Sequence, residues 1–331
     1  MKTTEFTASV MLALLAGTAY AQSSVTLYGR AEAQLAYRDT GTAAVANFPA
    51  PGLKRLDGLT SQFGFRGTED LGGGARAYFV LETRFKLDTG AMTSATTFFE
   101  GKSVVGLAGP WGDVTLGRDY VPAFYPGARV DPFGYDGSVG SIVGQAWSGY
   151  TVNNNSRAAN SIGYKSPTFG GFSFRVATSL GEGILPRTDG ANIEYSDGPA
   201  YLGLGFTDTD SANRATLLAG AYNFGFVRPA FWFSDSKHAG NHGRGYAFGL
   251  TAPIGLGMLK AVYHTVDPDR DRGNLNTSFA AGGAVRTKYA IGYTYPLSKR
   301  TSITPTIAQG KQSIATVSSS TAVDLVLRHD F

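Results

Sequence analysis

The chain has 331 residues, a formal net charge of +4 and no cysteine, so disulfide bonds play no part in its stability. Beyond the first 21 residues no window holds 18 consecutive apolar residues, which argues against a transmembrane helix. With 44 glycines and 12% aromatic residues, the composition favours β structure at a membrane, and an ordinary secreted β-sandwich stays open at this point.

The N-terminus has the pattern of an export signal. Lys2 supplies a positive charge, residues 8–19 are mostly apolar, and residues 19–21 form an Ala-x-Ala cleavage site. The pattern predicts a signal peptide over residues 1–21 and a mature domain over residues 22–331.

Apolar and polar side chains alternate with a period of two along almost the whole chain, which is typical of half-buried strands. In the predicted third strand, Phe79, Leu81 and Phe85 share one face, opposite Glu82 and Arg84. The alternation predicts sixteen strands, at residues 24–37, 59–67, 75–88, 97–108, 113–119, 157–166, 170–180, 190–197, 199–208, 213–224, 225–236, 244–253, 256–267, 285–296, 300–311 and 320–331.

These strands suit a membrane better than a sandwich. Strands of about 9–11 residues cross a bilayer when tilted by roughly 45°. Polar faces carry Arg and Glu in mid-strand, as a wet lumen allows, while apolar faces end in aromatic residues, as at a membrane interface. Short and long connections alternate. We therefore predict an all-β fold, a closed 16-stranded antiparallel transmembrane β-barrel with an aqueous lumen.

The connection between the fifth and sixth predicted strands is unusually long, at residues 120–156. It is rich in aromatic residues and poor in charge, which does not fit a disordered segment. Connections of this length are usually functional or disordered. We predict that this third long loop folds into the barrel and narrows it.

Six short motifs stand out along the chain. They are SVTLYGR at 24–30, FGFRGTEDLGGG at 63–74, VGL at 105–107, GDVTLGR at 112–118, NSIGYKSPTFGG at 160–171 and LRHDF at 327–331. Together they resemble Gram-negative general porins, those of β-proteobacteria most closely, and the resemblance covers the whole chain. The resemblance implies a homotrimer in the outer membrane, in contact with its lipids and lipopolysaccharide. It also implies that the third long loop lies inside each barrel and that the barrel-assembly machinery recognises the terminal Phe331.

The resemblance also implies a charged pore constriction. Asp131 and Asp136 match an acidic segment of the inward loop, and Phe133 between them is expected to anchor that loop on the barrel wall. The alternative for Asp131 is a plain turn, since Asp and Pro are favoured turn residues for reasons unrelated to ions.

The opposite wall should be basic. Arg30 points inward by alternation and matches a basic family position, and Arg157 matches the family's Arg-x-x-Asn-Ser pattern. Two family positions are not basic here, because Gln62 occupies one and Gly101, next to Lys102, occupies the other. We expect the inward Arg84 to restore charge near the first of them.

Other inward residues should line the lumen. This set comprises Gln62, Arg76, Glu82 and Lys288, with further cations at Arg175, Arg228 and Arg286. The excess of cations predicts a mild anion preference; the alternative is that they only solvate the lumen or hydrogen-bond the loops. Arg118 points outward by the same alternation and is expected to be structural.

The predicted function is passive diffusion of ions and small hydrophilic solutes through an outer-membrane porin. The alternatives are a substrate-specific channel on the same fold and, less favoured, an outer-membrane barrel enzyme. The chain has no cysteine and no Gly-x-Ser-x-Gly motif, so the sequence predicts no enzyme, no cofactor and no metal. Nucleic acid is not an expected partner, because the basic residues alternate with apolar ones instead of clustering.

Overall fold

The computed structural model describes residues 24–39, 53–57, 61–134, 156–183, 186–209, 213–238, 241–268, 286–314 and 317–331. The predicted signal peptide, and Asp136 of the predicted constriction, lie outside these ranges. Within them, no helix has the length and hydrophobicity that crossing a membrane requires.

The described residues form one antiparallel sheet of seventeen strand segments. The segments are β1 Ser24–Asp39, β2 Leu53–Asp57, β3 Gln62–Gly72, β4 Ala75–Arg84, β5 Lys102–Gly109, β6 Gly112–Tyr120, β7 Arg157–Lys165, β8 Phe172–Ser179, β9 Thr188–Asp197, β10 Ala200–Thr209, β11 Asn213–Tyr222, β12 Arg228–His238, β13 Asn241–Ile254, β14 Gly257–Pro268, β15 Arg286–Pro296, β16 Thr301–Ile314 and β17 Val317–Asp330.

The sheet closes on itself because β1 pairs with β17 on one side and with β2 and β3 on the other. β2 pairs with the second half of β1 and β3 with the first half, so these two segments act as one interrupted strand. Seventeen segments therefore make sixteen strands around the barrel. This confirms the predicted 16-stranded antiparallel barrel.

Several predicted strand boundaries are wrong. β3 ends at Gly72 instead of residue 67, and β2 Leu53–Asp57 lies where no strand was predicted. β4 ends at Arg84 instead of residue 88, and β5 begins at Lys102 instead of residue 97. The chain turns away after Arg84 because Lys86 N–H donates to the Ala91 carbonyl at 2.7 Å and Gly90 N–H donates to the Lys86 carbonyl at 2.8 Å. These turn hydrogen bonds replace the strand ladder.

Each strand has one face toward lipid and one toward the lumen. In β10, Leu202, Leu204 and Phe206 are exposed on the outside, whereas Tyr201 and Gly205 are buried on the inside. The same alternation recurs in β9, β11 and β12. Exposed apolar residues on the outer face are those that a bilayer would cover.

The third long loop enters the barrel and contains the one helix in the described ranges, α1 Phe124–Val130. α1 packs against β9, β10, β11 and β12. It ends at Val130 because Pro132 disfavours helical geometry in the preceding residue, and Asp131 is extended. The inward loop is thus confirmed, but the helix within it was not predicted from the sequence.

The main apolar cluster lies inside the barrel, between this loop and the wall. Its members are Val121, Ala123, Phe124, Val130 and Phe133 from the loop, and Tyr201, Ala215, Leu217, Ala219, Ala230, Trp232, Ala247, Val262, Ala290 and Ala308 from the strands. Residues 121–133 of the loop therefore pack against the inner wall and fill part of the barrel interior.

Candidate functional site

Glycines on the inner wall let the loop backbone approach closely. A β-carbon at position 205 would lie 2.6 Å from the Ala123 Cα, and one at position 190 would lie 2.8 Å from the Pro122 Cδ. Further along, a β-carbon at position 249 would lie 2.5 Å from the Pro132 Cγ. Real β-carbons do not approach this closely, so α1 can only sit where it does because these wall positions lack side chains.

The loop segment after α1 is held by a turn and a buried ring. The Asp131 carboxylate accepts a hydrogen bond from Phe133 N–H at 2.9 Å and is only 6% exposed. The Phe133 side chain is 1% exposed, lies over Gly292, and has the Lys260 Nζ 5.5 Å from its ring centroid. Asp131 therefore has the geometry of the turn interpretation, and Phe133 sits against the wall.

An aromatic and arginine cluster joins α1 to the wall at β4 and β7. The Tyr120 ring stacks on Phe124 with centroids 4.1 Å apart, and the Arg157 guanidinium lies 4.0 Å from the Tyr120 centroid. Arg84 Nη2 donates to the Tyr120 hydroxyl at 3.0 Å, and Arg157 Nη2 donates to the same oxygen. Arg157 Nε also donates to the Gly101 carbonyl at 2.7 Å. One phenol thus orients two cations at the start of the loop.

Lys102 and Asp119 form an ion pair next to this cluster, with Nζ and Oδ1 3.1 Å apart. The Tyr125 hydroxyl of α1 donates to the same carboxylate oxygen at 3.4 Å. Burial, and then the neighbouring Asp119 carboxylate, raise the pKa of the Tyr125 phenol above its ordinary value. The phenol therefore stays neutral and acts as a donor across the whole physiological pH range.

The wall continues through Gln62 to Arg30. Arg30, Gln62 and Arg84 occupy directly paired positions on β1, β3 and β4. Arg30 Nε lies 3.4 Å from the Asp330 carboxylate, and Arg84 Nη2 lies 3.8 Å from the Glu82 carboxylate. Gln62 Nε2 donates to Glu82 at 3.2 Å. We call Arg30, Arg84, Lys102 and Arg157 the basic wall.

The family model described as Gram-negative porin matches residues 8–315. This chain belongs to the Gram-negative porins. The porin is 34% identical over 320 residues to outer membrane porin protein 32 of Delftia acidovorans, a match that covers 89% of this chain and 86% of that protein. It is 27% identical to an outer membrane porin protein of Bordetella pertussis, with 98% of each chain covered.

A solved structure gives the same fold. The porin resembles an anion-selective porin from Comamonas acidovorans with a TM-score of 0.80 at 27% identity, covering 94% of this chain and 100% of that one. The porin is therefore a channel protein that crosses the bacterial outer membrane many times.

The other residues predicted from the sequence lie on the strands or at the C-terminus of the porin. Arg76 and Lys288 lie on β4 and β15, and Arg76 is exposed. Arg118 pairs with Ser103 on β5, and its Nε donates to the Glu100 carbonyl at 3.0 Å. Phe331 pairs with Gly29 through two backbone hydrogen bonds of 2.9 and 3.0 Å.

The sequence analysis missed Lys102, Asp119 and Tyr120 as site residues. Lys102 pairs directly with Glu82 and so shares its inward face, which fills the gap that Gly101 leaves. The corresponding predicted strand alternates poorly, so the sequence did not assign a facing to Lys102. Tyr120 could have been found, since the last aromatic of a strand that enters an inward loop is well placed to contact both walls.

The described part of the porin contains no group of three or more His, Cys, Asp or Glu residues that could hold a metal ion. Polar groups of the site are hydrogen-bonded or ion-paired to residues on neighbouring strands, as in the pairs Lys102–Asp119 and Gln62–Glu82.

Proposed function

We propose that this porin admits small hydrophilic solutes by passive diffusion and prefers anions, with selection at the gap between the inward loop and the basic wall. The observation that carries the proposal is the set of four cations, Arg30, Arg84, Lys102 and Arg157. They lie on β1, β4, β5 and β7, whereas α1 packs against β9 to β12.

The cations of the basic wall act on ions in the gap through Coulomb forces. Two unit charges 7 Å apart in water interact by about 0.6 kcal/mol, and by more beside a low-dielectric wall. A factor of about three in local concentration corresponds to that energy. Several fixed cations at this range therefore raise the concentration of anions in the gap and lower that of cations.

The carboxylates near the gap reduce the preference for anions. Asp330, Glu82 and Asp119 each lie beside one cation of the basic wall, so we infer a modest net positive field there. Asp131 acts mainly through its turn, and Asp136 is proposed as a further loop acid. The similar porin from Comamonas acidovorans is anion-selective, which supports the sign of the preference.

We propose the remaining features by family likeness. They are an export signal over residues 1–21, a homotrimeric assembly, contacts with outer-membrane lipids and lipopolysaccharide, and recognition of Phe331 by the assembly machinery. Arg76, Glu82, Gln62 and Lys288 are proposed to line the lumen. A channel with no enzymatic activity is the proposed role.

The Arg84→Gln, Arg157→Gln double variant tests the selectivity mechanism. Loss of two lumen charges should lower the anion-to-cation permeability ratio by about two- to fivefold, from the Coulomb energies above after screening by salt. The measurement is the reversal potential of purified protein in a planar bilayer under a KCl gradient.

Arg187→Gln is the matched control, because Arg187 faces outward and is paired with Asp189 at 3.0 Å. It should leave the reversal potential unchanged. An unchanged reversal potential in the double variant would exclude the basic wall as the selecting element, and an absence of channel steps in the wild type would exclude the function itself.

A further inference from the structure

Arg84 lies between two possible hydrogen-bond acceptors in the gap, a neutral phenol and a carboxylate. Its Nη2 donates to the Tyr120 hydroxyl at 3.0 Å, while the same nitrogen lies 3.8 Å from the Glu82 Oε1. A hydrogen bond from a guanidinium to a carboxylate is normally about 2.7–2.9 Å long. Arg84 is therefore hydrogen-bonded to Tyr120 and stops short of a closed ion pair with Glu82.

Glu82 is held on its own side by neutral donors. Its Oε2 accepts hydrogen bonds from the Tyr28 hydroxyl and from Gln62 Nε2, both at 3.2 Å. Gln62 pairs directly with Arg84 across β3 and β4, so the amide lies next to the cation that it replaces as a donor. The Glu82 carboxylate is thus hydrogen-bonded without using the charge of Arg84.

Arg157 shares the hydroxyl oxygen of Tyr120 with Arg84. Its Nη2 donates to that oxygen, its Nε donates to the Gly101 carbonyl at 2.7 Å, and its guanidinium lies 4.0 Å from the Tyr120 ring centroid. Two guanidinium groups therefore converge on one uncharged atom. The partial negative charge of the phenol oxygen offsets part of the repulsion between the two like charges.

The kind of acceptor decides how much of a cation's field reaches ions in the lumen. Lys102 of the basic wall lies 3.1 Å from the Asp119 carboxylate, whose negative charge cancels part of that field. A phenol also fixes the direction of a cation but carries no charge, so it leaves the field of Arg84 in place. The Arg84 side chain is only 16% exposed, and salt screens a charge less when it is partly buried.

We propose that Tyr120 is a specificity-determining positioning residue of this channel. Its neutral hydroxyl holds Arg84 and Arg157 in the gap and prevents Arg84 from closing an ion pair with Glu82. Both arginines thus act on passing anions as cations with a fixed position. The proposal rests on the proposed function, in which the basic wall selects anions.

Ring stacking gives Tyr120 a structural role as well. Its ring centroid lies 4.1 Å from that of Phe124, and this stack attaches α1 to the wall. The stack uses the ring and not the hydroxyl. Tyr120→Phe therefore separates the two roles, because it keeps the stack and removes the acceptor.

The reversal potential of the Tyr120→Phe variant in a planar bilayer under a KCl gradient tests the proposal. Arg84 loses its acceptor and should turn to Glu82. The anion-to-cation permeability ratio should then fall by about twofold, the effect of neutralising one cation of the wall after screening by salt. The melting temperature of the barrel should stay at the wild-type value. An unchanged permeability ratio would overturn the proposal.

A second background separates positioning from a change in the shape of the pore. In the Glu82→Gln protein, the carboxylate that would capture Arg84 is gone. Adding Tyr120→Phe to that protein should therefore leave its permeability ratio nearly unchanged. A change of pore shape would instead give the same decrease in both backgrounds, and that result would refute positioning by the hydroxyl.

Tyr293→Phe is the matched control, because it also removes a tyrosine hydroxyl that makes a hydrogen bond. The Tyr293 hydroxyl donates to the Ile254 carbonyl at 2.7 Å, and Tyr293 shares the outer face of β15 with the exposed Ile291. This variant should keep the wild-type permeability ratio. A decrease as large as that of Tyr120→Phe would show that the effect is not specific to the gap.

The crystal structure of the Tyr120→Phe variant reports the positioning independently of the selectivity. Arg84 Nη2 should lie about 2.8 Å from a Glu82 carboxylate oxygen, and a separation that stays at 3.8 Å would contradict the proposal. Arg84→Gln measures the proposed function itself. If Arg84→Gln kept the wild-type permeability ratio while the Arg84–Glu82 distance shortened in Tyr120→Phe, Arg84 would be rejected as a selecting residue and its positioning by Tyr120 would stand.

Discussion

At the residue scale, the width of the channel depends on glycines in the barrel wall, which have no side chain. Gly205 on β10 faces the lumen, and the Ala123 Cα occupies the space that a β-carbon there would need. Because the obstacle is backbone and not the end of a flexible side chain, no rotamer change can relieve it. The position of α1 thus depends on Gly205, a residue without a functional group that would mark it as part of the site.

Gly205→Ala should push α1 away from the wall. Overpacking of this kind typically costs roughly 1–3 kcal/mol of stability. Here it should weaken the packing of the loop against the wall and leave the stability of the barrel itself unchanged. We expect a noisier open-channel current and an altered conductance in planar bilayers.

Gly163→Ala serves as the comparison for this variant. Its new β-carbon would meet the Thr115 Oγ1 at 2.7 Å, and that hydroxyl can rotate away. If Gly205→Ala gave the same conductance and current noise as the wild type, the close approach of loop and wall would not control the channel.

The period-two alternation predicts which side chains point into the lumen where a strand is regular. It does not do so where the strand is irregular. Glu82 and Arg84 lie two apart on a regular β4, and their facing could be predicted. Lys102 could not, because it is the first residue of β5 and its facing follows from its pairing with Glu82, a contact between strands. The Asp131-Pro132 pair predicts a turn from the sequence, but the burial of Asp131 depends on the barrel wall.

At the element scale, α1 is a helix that its own sequence does not favour. It has seven residues, includes Pro126 and Gly127, and has no side-chain cap at its N-terminus. Isolated helices shorter than about 12–15 residues are marginal in water. Packing against Leu217 and Trp232 must therefore stabilise it, which explains why the sequence alone predicted a loop.

Phe133→Ala tests whether the buried ring anchors this element. Removing a fully buried phenylalanine typically costs about 3–5 kcal/mol. Since the ring belongs to the loop, that loss should loosen the loop and leave the thermal denaturation of the strand ladder nearly unchanged. Limited proteolysis in detergent should then cut the loop faster than in the wild type.

Phe169→Ala is the matched control, since Phe169 is 65% exposed in the turn between β7 and β8. It should leave the loop as resistant to protease as in the wild type. Equal cleavage rates for Phe133→Ala and Phe169→Ala would contradict the anchor.

At the scale of the whole molecule, the fold was predictable because three independent constraints agree. Period-two alternation, alternating connection lengths and the need to satisfy every backbone group in lipid all lead to one closed antiparallel sheet. The interruption between β2 and β3 was not predictable in this way, because either half pairs acceptably with β1.

Phe331 contributes to closure of the barrel. Phe331 exchanges two backbone hydrogen bonds with Gly29, and its ring covers the face of that glycine. Most residues at this position could form the two backbone hydrogen bonds, whereas the contact of the ring with Gly29 requires the phenylalanine side chain. The ring stays 42% exposed in the closed barrel.

Phe331→Ala separates these two contributions. It keeps both backbone hydrogen bonds, so the variant refolded in detergent should melt within a few degrees of the wild type, corresponding to roughly 1 kcal/mol. If the assembly machinery reads the ring, the amount of heat-labile trimer recovered from the outer membrane should nevertheless fall several-fold. Leu204→Ala, which removes an outward apolar side chain of similar exposure at 47%, should not reduce it. Equal recovery of the two variants would show that the terminal ring serves closure alone, whereas a large drop in melting temperature would show that it stabilises the folded barrel directly.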